Sequence, residues 1–216
     1  MSKKVVIIDY QLGNLFSVKQ ACTHLGYDAE ISSDPGKLME ADYAILPGVG
    51  AFNDAMKNLN EFGLTDGIHD YIRKGKPLMG VCLGLQLLLT GSEEFGDTRG
   101  LDLIPGTVKK FPVQTIGDQV YKVPQIQWNT ISEPSKGMWE NTPLKVCKEG
   151  DYMYFVHSFY AAPNEPKYVA ATTTYGNQLY CSAVIKDNIF ATQFHPEKSS
   201  LYGVNIYKAW FEQYAG

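Results

Sequence analysis

The chain has 216 residues, 44% of them hydrophobic and 19% charged, with a net charge of −4. Those proportions suit one good core, so a single domain over 1–216 is expected, and the acidic balance argues against a nucleic-acid partner, which a basic stripe would attract. No apolar run nears the ~20 residues of a membrane-spanning helix, and Met1-Ser2-Lys3-Lys4 before Val5-Val6-Ile7-Ile8-Asp9 does not make a signal peptide, so the cytoplasm is the expected compartment.

Over the first hundred residues short apolar runs alternate with helical periodicity, the pattern of a parallel sheet covered by helices. Lys4 to Asp9 predicts a buried strand, because Val-Val-Ile-Ile is β-branched throughout. Gly13-Asn14 breaks it. Leu15 to Leu25 then predicts a helix, with Leu15, Val18, Ala21, Cys22 and Leu25 on one face and Gly26 at its end. Asp28 to Ser32 and Tyr43 to Leu46 read as strands, and Pro47-Gly48-Val49-Gly50 as a sharp loop. Helices follow near Ala51 to Leu59 and Leu64 to Lys74. Pro77 to Val81 is a short strand with an apolar helix, Leu83 to Leu89, directly after it.

From about Gly106 the texture changes to closely spaced strands: Val108 to Phe111, Val120 to Val123, Tyr152 to His157, Tyr168 to Thr174, Leu179 to Ile185 and Ile189 to Phe194. Turn signals such as Lys186-Asp187-Asn188 separate several of them, which predicts an antiparallel or mixed sheet region. A helix from Ser200 to Ala215 closes the chain. The fold class is therefore α/β, with a mostly parallel central sheet, flanking helices and additional antiparallel or mixed sheet.

Four cysteines, Cys22, Cys82, Cys147 and Cys181, are scattered with no C-x-x-C pair. That excludes the usual zinc and dithiol spacings and argues against a disulfide framework in a reducing compartment, and nothing in the sequence asks for a metal or cofactor. Cys82 alone has a special context. Gly80-Val81-Cys82-Leu83-Gly84 lies between a predicted strand and a predicted helix, the G-x-nucleophile-x-G pattern of a nucleophile elbow. A tight strand-to-helix turn strains the nucleophile, and glycine at the flanking positions avoids clashes. The turn sets the sulfur at a helix N-terminus, where thiolate is favoured, and offers the Leu83 amide as an oxyanion donor. The competing explanation is a buried structural cysteine with two packing glycines.

A cysteine nucleophile needs a base, and the base an orienting group. Phe194-His195-Pro196-Glu197-Lys198-Ser199 offers both: His195 can take the thiol proton while Glu197 holds its other ring nitrogen. His157 is the competing base, at the end of a predicted strand but with no carboxylate close in sequence. The Pro47–Gly50 loop, at the carboxyl end of another parallel strand, can turn a backbone N–H toward the same point.

Taken together, Pro47-Gly48-Val49-Gly50-Ala51-Phe52, Gly80-Val81-Cys82-Leu83-Gly84-Leu85-Gln86 and Gln193-Phe194-His195-Pro196-Glu197 resemble a class I, triad-type glutamine amidotransferase over nearly the whole chain. The resemblance implies that Cys82, His195 and Glu197 hydrolyse glutamine through a γ-glutamyl thioester. It also implies an oxyanion hole from Val49 and Leu83, and substrate contacts at Gln86, Glu94 and Ser158. Ile7-Ile8-Asp9-Tyr10-Gln11-Leu12-Gly13-Asn14-Leu15, Gly100-Leu101-Asp102-Leu103-Ile104-Pro105-Gly106, Val123-Pro124-Gln125-Ile126-Gln127-Trp128-Asn129 and Tyr154-Phe155-Val156-His157-Ser158 further resemble the glutaminase subunit of imidazole glycerol phosphate synthase. That likeness implies a heterodimer with a cyclase subunit that consumes the ammonia, and a facing surface including Asn14, Trp128, Asn129 and Lys198. The family usually has glycine where Gln11 and Gln127 stand, in segments it places near the cyclase. A related glutaminase feeding another synthase, or a stand-alone cysteine or γ-glutamyl hydrolase, are the alternative readings. A scaffold without activity is at odds with an intact Cys, His and Glu set.

Overall fold

The computed structural model describes residues 3–215. The N-terminal half lays down β1 (Val5–Ile8), α1 (Leu15–His24), β2 (Ala29–Ser32), α2 (Pro35–Glu40), β3 (Tyr43–Gly48), α3 (Phe52–Glu61), α4 (Leu64–Arg73), β4 (Leu78–Cys82) and α5 (Leu83–Leu87). Then come β5 (Leu89–Ser92), β6 (Thr98–Arg99), β7 (Ile104–Lys110), β8 (Gln114–Ile116), β9 (Gln119–Tyr121), β10 (Gln125–Thr130), β11 (Tyr152–His157) and β12 (Phe159–Pro163). β13 (Val169–Tyr175), β14 (Gln178–Lys186), β15 (Ile189–Thr192) and α6 (Ser200–Gln213) complete the chain.

One 11-stranded sheet in the order β2-β1-β3-β4-β15-β14-β12-β7-β5-β6, with β13 on β14, organises the molecule. β2, β1, β3, β4 and β15 are parallel, and β14 and β12 continue the same sheet antiparallel. The antiparallel region expected after Gly106 is thus an extension of the central sheet, with β10–β11 and β8–β9 as separate two-stranded ribbons. Strand pleating divides the core between two faces. Val5 and Ile7 of β1 join α1, α6 and the inner face of β11, while Val6 and Ile8 join α2, α3, α4 and α5. Each such fully buried side chain is worth about 1.5–3 kcal/mol. Near α6, Tyr43 anchors the first face: its ring meets Phe211 and Trp210 edge-on and its hydroxyl donates to the Phe211 carbonyl at 2.9 Å.

Most predicted elements appear within a residue or two. The hydrophobic pattern does not predict α2, although Asp34-Pro35 carries its start signal: the Asp34 carboxylate accepts from Gly36 N at 2.7 Å and Pro35 occupies the first turn. The helix predicted over Leu83 to Leu89 stops at Leu87 because Leu89 opens β5, and the strand predicted to Phe194 stops at Thr192. Among the described residues, no helix is long and apolar enough to cross a membrane.

The consequence for function lies in one register. β15 inserts beside β4 with Ala191 opposite Gly80 and Thr192 opposite Val81, while β3 flanks β4 on its other side with Gly48 opposite Cys82. Three carboxyl ends meet at one point of the sheet edge.

Candidate active site

Cys82 ends β4 and caps α5, turning the chain from strand to helix at φ 56° and ψ −106°. For a non-glycine residue this conformation stores about 1–3 kcal/mol of strain. Its flanking glycines explain how the turn closes. A Cβ on Gly84 would lie 1.7 Å from the Leu46 carbonyl oxygen, and one on Gly80 would lie 2.8 Å from Ala191 Cβ. The helix that follows is only five residues long, so its dipole adds little to thiolate stability.

At the end of β3, Pro47 and Gly48 are held from behind by Tyr10, which is fully buried and donates its hydroxyl to the Pro47 carbonyl at 2.7 Å. A Cβ on Gly48 would meet that hydroxyl at 1.9 Å. Burial, reinforced by the neighbouring Cys82, pushes the Tyr10 phenol far above its ordinary range, so it stays a proton donor. Val49 and Gly50, both exposed, then line a cleft of about 260 Å³ together with Cys82, Leu83, Gln86, Glu94 and Ser158.

His195 arrives from β15. Its main-chain N–H donates to the Tyr154 carbonyl at 3.0 Å, and the Ser199 hydroxyl, which accepts from Tyr154 N, donates to the His195 carbonyl at 2.7 Å. The backbone is therefore fixed before the side chain is considered. His195 Nδ1 lies 2.8 Å from Glu197 Oε1, with both side chains almost fully buried. Burial by itself would depress the imidazole; Cys82 and Glu197 overcome it and hold His195 protonated well above the usual histidine range. Nε2 makes no hydrogen bond of ordinary geometry, yet the sulfur is close enough to dominate that upward pull.

His157, the rival base, is engaged by the fold at both ring nitrogens. Its Nδ1 pairs with the Phe159 carbonyl at 2.8 Å and its Nε2 faces the Tyr180 hydroxyl at 3.4 Å. Burial lowers it to about 4, against the pull of the Phe159 carbonyl, with His195 pushing the same way as burial. The unfolded chain takes up this proton near pH 6.5 and the folded chain resists until about 4. Stability tied to neutral His157 is therefore complete above pH 6.5 and lost as pH falls toward 4, about 3 kcal/mol for a shift of this size. His157→Gln is expected to flatten the decline of the urea midpoint between pH 6.5 and 4; parallel curves for the two proteins would contradict this. Cys22, Cys147 and Cys181 are thiols throughout the neutral range, since burial pushes each up to about 12.

Gln86 spends its amide nitrogen inside the protein, donating to the Phe159 carbonyl at 2.9 Å and to Gln193 Oε1 at 3.1 Å. Glu94 Oε2 accepts from Phe52 N at 2.8 Å, tying the cleft wall to the start of α3. Gln193 stands out in the sequence only as part of a motif, but its Nε2 reaches Cys82 Sγ at 3.7 Å. The strand ends at Thr192, so alternation along it does not reach Gln193, and no local pattern in the sequence points to this contact.

The surface residues divide. Trp128, 46% exposed, stands edge-on to Tyr154 at 6.1 Å, and the Lys198 ammonium lies 5.9 Å from the same ring. Asn129 instead donates to the Thr174 carbonyl at 2.8 Å, and Asn14 accepts from the Ser17 hydroxyl at 2.9 Å ahead of α1. Gln11 adopts φ 67°, a conformation that favours glycine, whereas Gln127 sits exposed in extended β10.

The family model for glutamine amidotransferase class-I matches residues 6–212. The chain is 44% identical over 210 residues to imidazole glycerol phosphate synthase subunit HisH of Geobacter sulfurreducens, covering 97% of this chain and 98% of that one. It is 45% identical over 207 residues to the protein of the same name from Syntrophotalea carbinolica, covering 94% and 97%. Among solved structures, a glutamine amidotransferase superposes with a TM-score of 0.72 at 17% identity, over 98% of this chain and 99% of the other, a likeness of fold.

Proposed function

The chain belongs to the class I glutamine amidotransferase family, and on that premise we propose that it is the glutaminase subunit of an imidazole glycerol phosphate synthase, delivering ammonia from glutamine to a cyclase subunit. One observation carries the assignment of the chemistry: the strained Cys82 at the end of β4 stands beside the buried His195–Glu197 pair at the end of adjacent β15.

In the proposed reaction His195 holds the proton of Cys82, and the sulfur attacks the side-chain amide carbon of glutamine. The amides of Val49 and Leu83 take up the charge on the carbonyl oxygen. His195 then gives its proton to the nitrogen, the C–N bond breaks, and ammonia leaves a γ-glutamyl thioester. Water, deprotonated by His195, attacks the thioester; the sulfur departs as thiolate and glutamate is released. Glu197 fixes the imidazole orientation and balances its charge.

Substrate recognition follows from the donors already used. Both Gln86 Nε2 protons are committed, so its remaining Oε1 suits the α-ammonium of glutamine, with Glu94 as a second acceptor and Ser158 on the same wall. At about 260 Å³ the cleft falls below the ~300–1,000 Å³ of pockets for larger ligands, which favours a single amino acid over a γ-glutamyl peptide.

The partner surface is assigned to the exposed Trp128 and Lys198 around half-buried Tyr154, with Asn14 and Asn129 at its margin. Mixed with the cyclase subunit, the purified chain is expected to support synthesis from glutamine. Trp128→Ala is expected to weaken the complex at least tenfold by titration, the scale of an aromatic anchor, without changing ammonia-dependent synthesis by the cyclase. Rapid hydrolysis of γ-glutamyl peptides together with indifference to the cyclase would overturn the assignment.

A further inference from the structure

We propose that Gln193 is the hydrogen-bond donor that holds the Cys82 sulfur and favours its thiolate, its direction enforced by a buried relay that starts at the Phe159 carbonyl. The inference rests on Cys82 being the nucleophile.

Gln193 is fully buried, so both ends of its carboxamide need partners. Nε2 lies 3.7 Å from Cys82 Sγ, and Oε1 accepts from Gln86 at 3.1 Å. A carboxamide fits its space either way round, and here the neighbours decide. The Phe159 carbonyl can only accept, so the Gln86 atom 2.9 Å from it is the nitrogen. That nitrogen has one further proton, which faces Gln193, so the facing Gln193 atom is oxygen and the atom toward the sulfur is nitrogen. The same Phe159 carbonyl is met by His157 Nδ1 at 2.8 Å, which makes it a firm anchor.

Around the sulfur the balance is specific. The Val156 carbonyl, 3.8 Å away, accepts from the protonated thiol, whereas Gln193 stabilises the anion. The titratable groups that face it are His195 backed by Glu197 after β15, Tyr10 after β1, His157 at the end of β11, and Glu94 on the cleft wall. Tyr10 spends its proton on Pro47, and neutral His157 spends its own on Phe159. Beside the protonated His195, Gln193 is the neutral side chain that donates a hydrogen bond to the sulfur. Gln86 acts as a positioning residue: it lines the cleft and its amide nitrogen aims Gln193, so the cleft wall and the orientation of the nucleophile share one side chain.

The test is alkylation of Cys82 by iodoacetamide as a function of pH, followed by mass spectrometry on the full chain. Gln193→Met is expected to raise the pH of half-maximal alkylation by about one unit. Gln193→Glu, nearly isosteric but with an acceptor toward the sulfur, is expected to raise it further. Gln86→Met, which releases the relay, is expected to raise it less. In complex with the cyclase, kcat for glutamine in Gln193→Met should fall about 10- to 100-fold with KM changed less. A merely structural role would lower thermal stability without moving the pH profile. Superimposable alkylation profiles in the variants that retain cooperative melting would overturn the inference. Glutaminase activity surviving in Cys82→Ala would instead overturn the assignment of the nucleophile, so the two failures are distinguishable.

Discussion

Cys82→Ala is expected to lower kcat for glutamine hydrolysis by on the order of 10⁵–10⁶, and His195→Ala by nearly as much. In the proposed mechanism the sulfur forms the covalent intermediate, so no neighbouring group replaces it; Cys22, Cys147 and Cys181 are buried or partly buried thiols that the cleft does not include. In the same proposal His195 carries the proton in both half-reactions, first to the leaving nitrogen and then from water. Glu197→Gln should cost less, about 10⁴, because an amide still occupies the site 2.8 Å from Nδ1 but no longer balances an imidazolium. The double variant Cys82→Ala/His195→Ala should be no slower than Cys82→Ala, since the residues act as a unit. Glutamate release in the complex measures all four, with ammonia-dependent synthesis as the control for assembly. Retention of a tenth of the activity in Cys82→Ala would remove cysteine chemistry from the account.

The sequence made this set visible because its members sit in short, strongly constrained motifs. Gly80 and Gly84 flank Cys82 at spacings that only a tight turn demands, and Glu197 follows His195 by two residues. What the motifs do not contain is their proximity. That depends on β15, more than a hundred residues after β4, inserting beside it in parallel, although residues past Gly106 read locally as antiparallel or mixed sheet. Pairing partners across such a distance are chosen by the packing of both sheet faces, not by local pattern. The roles of His157 and Gln193 were hidden for a related reason. A histidine at a strand end can serve as base or as buried strut, and only the Phe159 carbonyl and Tyr180 hydroxyl decide between them. Gln193 is an ordinary polar residue until the Gln86 amide orients it.

Gln11, where the resemblance leads one to expect glycine, adopts φ 67° with its N–H donated to Asp9 Oδ1 at 2.8 Å. A left-handed non-glycine residue costs roughly 1 kcal/mol. That is tolerable in an exposed loop, and the hydrogen bond to Asp9 supports the conformation. Gln11 is exposed and lies outside the cleft lining, so its side chain leaves the proposed chemistry untouched.

Gly84→Ala tests whether the elbow itself is the constraint that the geometry implies. The added methyl would lie 1.7 Å from the Leu46 carbonyl oxygen and 2.8 Å from its carbon, against backbone rather than a flexible side chain. Leu46 belongs to β3, which pairs with β4 opposite Gly80, so it cannot retreat without loosening the parallel sheet at its centre. The cost is expected at or above the upper end of overpacking, about 3 kcal/mol, which for a chain of this size lowers Tm by about 6–12 °C. Gly26→Ala is the fitting comparison. Gly26 also resists a side chain, at φ +83°, but nothing lies within 4 Å of its Cβ position, so only about 1 kcal/mol is at stake. If α5 shifts to relieve the clash, Cys82 moves with it and glutamine hydrolysis should fall at least a hundredfold, since a displacement near 1 Å at the reacting atom costs about that much. Urea denaturation and glutamate release on the two alanine variants separate the effects: Gly26→Ala loses a little stability and no activity, and Gly84→Ala loses both. Equal, small losses in the two would mean that the strand-to-helix turn has slack enough to absorb a methyl group, and that the strain at Cys82 is not held in place by the close approach of α5 to β3.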